Sequence, residues 1–316
     1  MILVFGIAVF FTFFILDYLL KNNNINNKFK GIDMHKENKH LVFNFGGFVP
    51  VICFIIAVIL CSFITDVNQT VLSYSLLTIL IVALIGLYDD IKELPQLLKA
   101  LIPIPVAGIL VYTLFTIGHS TQIFFPILGN IDFGILYFII LVPIGLAGAS
   151  NLTNMLAGFN GNETGMAIIM FITLSILTYL NNSYEALIIS VAFLGALIGF
   201  IKFNWYPAKA FGGDVLNLSI GAVLLVVIVL AKIEIFGIIL VLPYIFDWIL
   251  KARAKFPKSF AILEDGILYA PEGKPRGLAD YILKKTRGLT ELTLVIVLIG
   301  LEIVCAFLTI IVFLCI

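Results

Sequence analysis

The sequence predicts an all-α, polytopic integral membrane protein of about ten transmembrane helices, organised as one unit over residues 1–316. Three observations predict this. Hydrophobic residues make up 61% of the chain and charged residues 12%, with a mean hydropathy of +1.14, whereas an ordinary soluble domain carries about 25% charge. The apolar residues gather into runs close to the roughly 20 residues that a helix needs to cross a bilayer. The charges gather between those runs. A soluble globular enzyme is excluded, and 19 Lys+Arg against 19 Asp+Glu leave no basic field to hold nucleic acid.

In chain order the runs fall at residues 1–20, 43–64, 71–88, 97–117, 133–150, 165–181, 184–201, 215–231, 234–251 and 292–316. The first has no basic leader and no small-residue cleavage site, so it is expected to be a retained span. The second holds Cys53 and Cys61 and the last holds Cys305 and Cys315. Without a Cys-x-x-Cys or Cys/His spacing, all four are expected to be small buried hydrophobes. His35, His40 and His119 also lack metal-ligand spacing and are expected to be packed or solvated. Asp17, Asp247 and Glu302 fall within or near runs, where an ionisable group is costly and usually faces the bundle interior.

Ten spans place both termini on one side. The odd-numbered connections, about 21–42, 89–96, 151–164, 202–214 and 252–291, hold or border 18 of the 19 Lys and Arg residues, and Lys232 lies opposite. The positive-inside rule therefore puts these connections in the cytoplasm and both termini outside. Asp66, Asp132, Glu185 and Glu234 are scattered over the outer face. No internal or inverted repeat of the kind found in many secondary transporters stands out.

Four polar clusters open onto the cytoplasmic face. Asp89 and Asp90 end the third run, where the helix dipole and their mutual repulsion both call for a compensating positive charge. Lys92, Lys99 and a divalent cation are the candidates, and together they can hold a phosphate or pyrophosphate. Between Asn151 and Glu163, four asparagines occur in twelve residues. Asn151 and Asn154 share a face if the fifth helix continues, their amide oxygens suit a hard cation such as Mg²⁺, and Gly158 and Asn160 can admit and hydrogen-bond a planar base. The segment Asn204 to Asp214 ends in Phe211-Gly212-Gly213-Asp214. There Asp214 is either a helix N-cap or a metal ligand, and Phe211 offers a stacking face. The basic run Lys251, Arg253, Lys255 and Lys258 is a topology anchor unless Arg253 or a neighbour turns toward the other loops. Jointly these clusters are the material for a Mg²⁺-dependent site acting on phosphates at the membrane surface. A transporter or flippase of nucleotide-sugar or lipid-linked sugar is the rival reading, and it predicts polar residues near mid-bilayer on several helices.

These residues resemble the polyprenyl-phosphate N-acetylhexosamine-1-phosphate transferases, a family of ten-span membrane enzymes. The resemblance runs along most of the chain: Asp89-Asp90 with Lys99 at the next helix start, Asn-x-x-Asn-x-x-x-Gly-x-Asn-Gly from Asn151 to Gly161, Phe-x-Gly-Asp at Phe211 to Asp214, and Gly-x-Asp-x-x-Lys at Gly31 to Lys36. The Asn-Met-Leu-Ala-Gly-Phe-Asn-Gly run looks more like the archaeal and eukaryotic dolichyl-phosphate enzymes than the bacterial ones. No histidine follows His119, a departure from the bacterial peptidoglycan enzymes, which carry one in the last cytoplasmic loop.

The resemblance implies transfer of GlcNAc-1-phosphate from UDP-GlcNAc to a polyprenyl or dolichyl phosphate, with Mg²⁺ (or Mn²⁺) as cofactor; the short outer connections point to the plasma membrane, or to the endoplasmic-reticulum membrane if the chain is eukaryotic. A homodimer is a further candidate assembly. By resemblance, Asn154 and Asp214 would hold the metal and Lys99 would contact a phosphate. Gly158, Asn160 and Phe211 would receive the uracil, and Lys36, Asn151 and Arg253 would contact substrate. Asp89 and Asp90 stay open between orienting or deprotonating the lipid phosphate and organising the lysines. A phosphate monoester with a second pKa near 6 needs no strong base at neutral pH, which favours positioning.

Overall fold

The computed structural model describes residues 1–22, 29–36, 39, 41–257 and 261–315, so Lys28, His40 and Lys258 lie outside the described residues. Helix α1 (Ile2–Lys21) leads to a hairpin of β1 (Lys30–Ile32) and β2 (Leu41–Phe43). Next come α2 (Phe48–Ser62), α3 (Gln69–Ile91), the short α4 (Gln96–Leu101) running into α5 (Pro103–Thr116), and a second hairpin of β3 (Gln122–Phe125) and β4 (Gly129–Asp132). A π-helical turn (Tyr137–Leu141) continues as α6 (Val142–Met155), followed by α7 (Asn162–Leu180), α8 (Tyr184–Asn204), α9 (Gly213–Leu230), α10 (Glu234–Leu240) and α11 (Leu242–Arg253). A third hairpin, β5 (Ile262–Glu264) with β6 (Ile267–Tyr269), precedes α12 (Leu278–Thr286) and the final span α13 (Glu291–Leu314).

Every apolar run is helical, but the count of ten needs qualification. Among the described residues, 8 helical stretches are long and apolar enough to cross a membrane, or 9 if the bent pair α10 and α11 is one span. That pair bends by 64°. Pro243 lies in the first turn of α11, where it has no N–H to donate to the preceding turn and its ring crowds that turn's carbonyl. The tenth element, α2, has 15 residues, about 22 Å of rise against a hydrocarbon layer of about 30 Å. It starts late because Leu41–Phe43 are taken into the first hairpin.

Helix α9 is the axis of the bundle. It packs on α2, α3, α6, α7, α8 and α10, and 83% of its span is buried against 22% for α1. A helix apolar on all sides suits that central place. The two sets of connections segregate to opposite ends. At one end the even connections pair with each other: Asn68 N–H donates to Glu185 Oε1 at 3.0 Å, and Tyr137 Oη–H donates to Glu234 Oε1 at 2.6 Å. The odd connections meet at the other.

Some expectations change. Cys53 and Cys61 are buried, but Cys305 is half-buried and Cys315 exposed, because α13 lies at the rim with one face turned outward. Asp17 is paired with Lys21 one turn on at 2.7 Å, at the partly exposed end of α1. Glu302 is fully buried, and among the described residues neither of its oxygens has a hydrogen-bond partner. His119 stacks on Tyr137, and burial followed by the charge of Lys232 pushes its pKa down to about 4.

Candidate active site

Asp89 and Asp90 are adjacent in sequence, but a helix turns about 100° per residue, so they face different neighbours. Asp90 faces the start of α9. Its Oδ1 accepts the Asp214 N–H at 2.8 Å and its Oδ2 the Val215 N–H at 3.0 Å. This carboxylate, supplied from α3, satisfies two of the orphan donors that begin α9, where the N-cap itself is Gly212 and has no side chain to do so. Its compensating positive charge is the helix dipole. Gly213 is required here: its φ is +65°, and a Cβ would stand 2.6 Å from Asp90 Oδ2. Asp214 is therefore not the N-cap, and its side chain turns elsewhere.

It turns to Lys99. The Lys99 ammonium donates to Asp89 Oδ2 at 2.6 Å and to Asp214 Oδ2, while Asp89 Oδ1 accepts the Leu94 N–H at 2.6 Å. Asn154, with its amide oriented as its neighbours demand, accepts Lys99 Nζ at 2.7 Å and donates to Asp214 Oδ1 at 2.9 Å. One ammonium thus gathers oxygens from α3, α6 and α9. One turn earlier on α6, Asn151 donates to the carbonyls of Ala147 at 2.7 Å and Ala100 at 3.4 Å, which ties α6 to the residue after Lys99. Lys92 is exposed.

The donors around Lys99 are carboxylate and amide oxygens, the chemistry a hard divalent cation takes. Among the described residues no three His, Cys, Asp or Glu side chains form a metal-binding group. A cation at Asn154 and Asp214 would thus have few protein ligands and would be completed by water and substrate phosphates, as is usual for Mg²⁺. The residues present fit that group.

A second cluster joins the first connection, the Asn-rich motif and the last span. Asn160 N–H donates to Glu291 Oε1 at 2.7 Å, and Asn160 Nδ2 donates to Asp33 Oδ2 at 2.9 Å. Lys36 pairs with Glu291, lies 3.8 Å from Asp33 Oδ2, and stands 3.7 Å over the Tyr206 ring. The structure therefore places Lys36 in this cluster. His35 stacks on Phe159 with ring centroids 4.9 Å apart, and burial holds its imidazole below the usual value despite the raising effect of Glu291 and Asp33. Gly158, at φ +124°, makes the turn and is exposed.

The segment before α9 is held by the first connection. Phe43 N–H donates to Lys209 O at 3.2 Å, and Phe211 N–H to Phe43 O at 2.9 Å, so the Phe211 backbone is fixed while its ring stays half-exposed. Beyond it, Gly47 N–H donates to Phe211 O at 3.1 Å, and a Cβ on Gly47 would lie 1.8 Å from Gly212 O. The Gly46-Gly47 pair, uninformative by itself in sequence, lets the start of α2 lie against Phe211-Gly212-Gly213. Asn204 adds a tie, donating to Glu163 Oε1 and Ala210 O, each at 3.2 Å.

Among the described residues of the basic run, Lys251 turns inward. Its ammonium donates to the carbonyl of Met155, next to Asn154, and pairs with Asp247 at 2.8 Å. Arg253 is exposed. Sequence reasoning missed Glu291 and gave Asp33 no role. Glu291 is the first residue of a helix and looks like a favourable first-turn acid, whereas Asp33 is flagged by the Gly-x-Asp-x-x-Lys pattern.

The chain is similar to known proteins over most of its length. The family model described as glycosyl transferase family 4 matches residues 72–232. The chain is 36% identical over 290 residues to a Saccharolobus solfataricus protein named as a UDP-N-acetylglucosamine–dolichyl-phosphate N-acetylglucosaminephosphotransferase, covering 90% of this chain and 88% of the relative. A Sulfolobus acidocaldarius protein of the same name is 32% identical, covering 90% and 87% respectively. The phospho-N-acetylmuramoyl-pentapeptide-transferase of Halalkalibacterium halodurans is 30% identical over 199 residues, 59% of this chain and 61% of the relative.

Proposed function

The chain belongs to glycosyl transferase family 4, and from that premise we propose that it transfers GlcNAc-1-phosphate from UDP-GlcNAc to a dolichyl-type polyprenyl phosphate. The products are GlcNAc-diphospho-lipid and UMP, and the reaction would start lipid-linked oligosaccharide synthesis for glycosylation. The catalytic loops face the cytoplasm across the plasma membrane, with both termini outside. The single observation that carries this reading is the convergence of Asp89, Lys99, Asn154 and Asp214 on one point at the end of the bundle where the odd connections meet.

A lipid phosphate oxygen attacks the β-phosphorus, the bond to the bridging oxygen of the pyrophosphate breaks, and that oxygen leaves on UMP. Both partners are anionic, so the site's work is positioning and charge stabilisation. Asn154 and Asp214 would hold a divalent cation, which would supply charge neutralisation on the pyrophosphate. Lys99 moves from its carboxylate partners to a phosphate oxygen. Asp89 keeps Lys99 in reach and orients the incoming lipid phosphate. Asp90, with both oxygens on backbone N–H groups, holds Asp214 in place rather than exchanging protons. Asn160 and Phe211 meet the uracil by hydrogen bond and stacking, with Gly158 leaving room for it.

The test is incubation of detergent-purified protein with radiolabelled UDP-GlcNAc and a polyprenyl phosphate, with and without Mg²⁺, following UMP release and label entering lipid. Mg²⁺-dependent formation of both products is expected. Neither product from folded protein, across several UDP-sugars and lipids, would sink the reading in favour of transport.

A further inference from the structure

The clamp on Asn160 sets more than its position. A carboxylate can only accept hydrogen bonds, so the bond from Asn160 Nδ2 to Asp33 Oδ2 at 2.9 Å decides which end of the amide is turned away from Asp33: the carbonyl Oδ1. Glu291 Oε1 holds the backbone of the same residue through the Asn160 N–H at 2.7 Å, and Glu291 is itself paired with Lys36. The holding groups are well shielded, with side-chain exposures of 5% for Asp33 and 3% for Glu291. They reach Asn160 from 127 and 131 residues away, so neither belongs to the Asn-rich motif.

We propose that Asp33 and Glu291 are positioning residues that make the nucleobase subsite selective for uracil over cytosine, by offering Asn160 Oδ1 as an acceptor and withholding the amide NH₂. The proposal rests on the reading that Asn160 meets the base. Uracil presents a donor at N3. Cytosine presents a bare acceptor at that position. A freely turning amide answers either base, with its carbonyl toward uracil or its NH₂ toward cytosine. Locked by Asp33, it sets acceptor against acceptor when cytosine enters. Sites that hydrogen-bond their ligand discriminate strongly in this way, because a mismatch leaves buried polar groups unpaired. Glu291 has the complementary task of keeping the Asn160 backbone, and so the base of the amide, from shifting.

The experiment is calorimetric titration of the purified full-length protein with UMP and with CMP in Mg²⁺, alongside steady-state kinetics with UDP-GlcNAc. The unaltered protein should prefer UMP by about tenfold or more. Asp33→Asn is isosteric but removes the obligatory acceptor, so the Asn160 amide can turn over. The UMP preference should fall toward unity, and KM for UDP-GlcNAc should rise more than kcat falls. Glu291→Ala should weaken UMP binding about tenfold, and Glu291→Gln, which keeps an acceptor for the Asn160 N–H, should restore most of it. A merely structural role would weaken both nucleotides alike and leave their ratio unchanged. An unchanged ratio in Asp33→Asn with UMP still bound overturns the proposal alone. No UMP binding by the unaltered protein would overturn the functional reading, and the proposal with it.

Discussion

The two ends of the bundle both carry carboxylates bonded across elements, and they use them differently. At the end formed by the even connections, carboxylates accept from neutral donors: Glu185 takes the Asn68 N–H and Glu234 takes the Tyr137 hydroxyl. These are stitches between adjacent elements. At the other end charges are shared. Lys99 serves both Asp89 and Asp214, and Lys36 serves both Glu291 and Asp33. Each of these two ammoniums has two carboxylates, so by formal charge each of the two clusters is one cation short. In the proposed reaction this surface receives two anionic substrates, and a divalent cation at Asp214 and Asn154 would fill that deficit.

The comparison breaks most sharply at Asp214. Asp214→Asn should lower transfer by about a thousandfold or more while the protein still elutes as a folded, helical species. Near-normal turnover of the purified variant would remove the reason for treating this end as the reactive one. Lys99→Ala comes next, with an expected loss of about a hundredfold in kcat/KM. If both kcat and KM stayed at their original values, the shared ammonium would be a stitch like those opposite.

Asp90 tests the boundary between the two kinds of contact. Because it acts on backbone N–H groups, Asp90→Ala should cost about 1–2 kcal/mol of stability, seen as a lowered melting temperature in detergent, as well as activity. Asp89→Ala should lower activity without a comparable fall in melting temperature, and equal effects on melting would erase the distinction. The smallest effect belongs to the far end. His119 is neutral in the fold down to about pH 4, whereas an unfolded histidine takes its proton near 6.5. The unfolded chain therefore binds more protons between those values, and stability should decline as pH falls from about 6.5 toward 4. His119→Phe should flatten that part of the profile, and transfer activity at neutral pH should change little.

Much of this was legible in the sequence. Each span announces itself by composition, since about 20 apolar residues have no other stable place. The motif residues Asp89, Lys99, Asn154 and Asp214 were separately identifiable, and the fold's contribution is to bring them to one ammonium. The three hairpins were not foreseen, because strands of 3 or 4 residues leave too few positions for an alternating pattern to show. The bend between α10 and α11 was signalled by Pro243 and passed over within a continuous apolar run. Glu291 gave no sign because its local chemistry is already sufficient: an acid in the first turn of α13 favours the helix dipole and invites no search for a partner 131 residues away. Asp90 shows the converse, a residue marked by its acidic neighbour whose two oxygens are both taken by backbone N–H groups.

The closure of the first turn of α9 by Asp90 also determines how the site would respond to solvent. The amides of Asp214 and Val215 begin the most enclosed helix in the molecule and are bonded to a carboxylate from another span. Their hydrogens should exchange with deuterium on the timescale of global unfolding rather than of loop opening, unlike the exposed turn at Gly158. The Asp214 half of the site is thereby rooted in the most enclosed of the described spans, while Asn160 follows an exposed turn and is held from outside by Asp33 and Glu291.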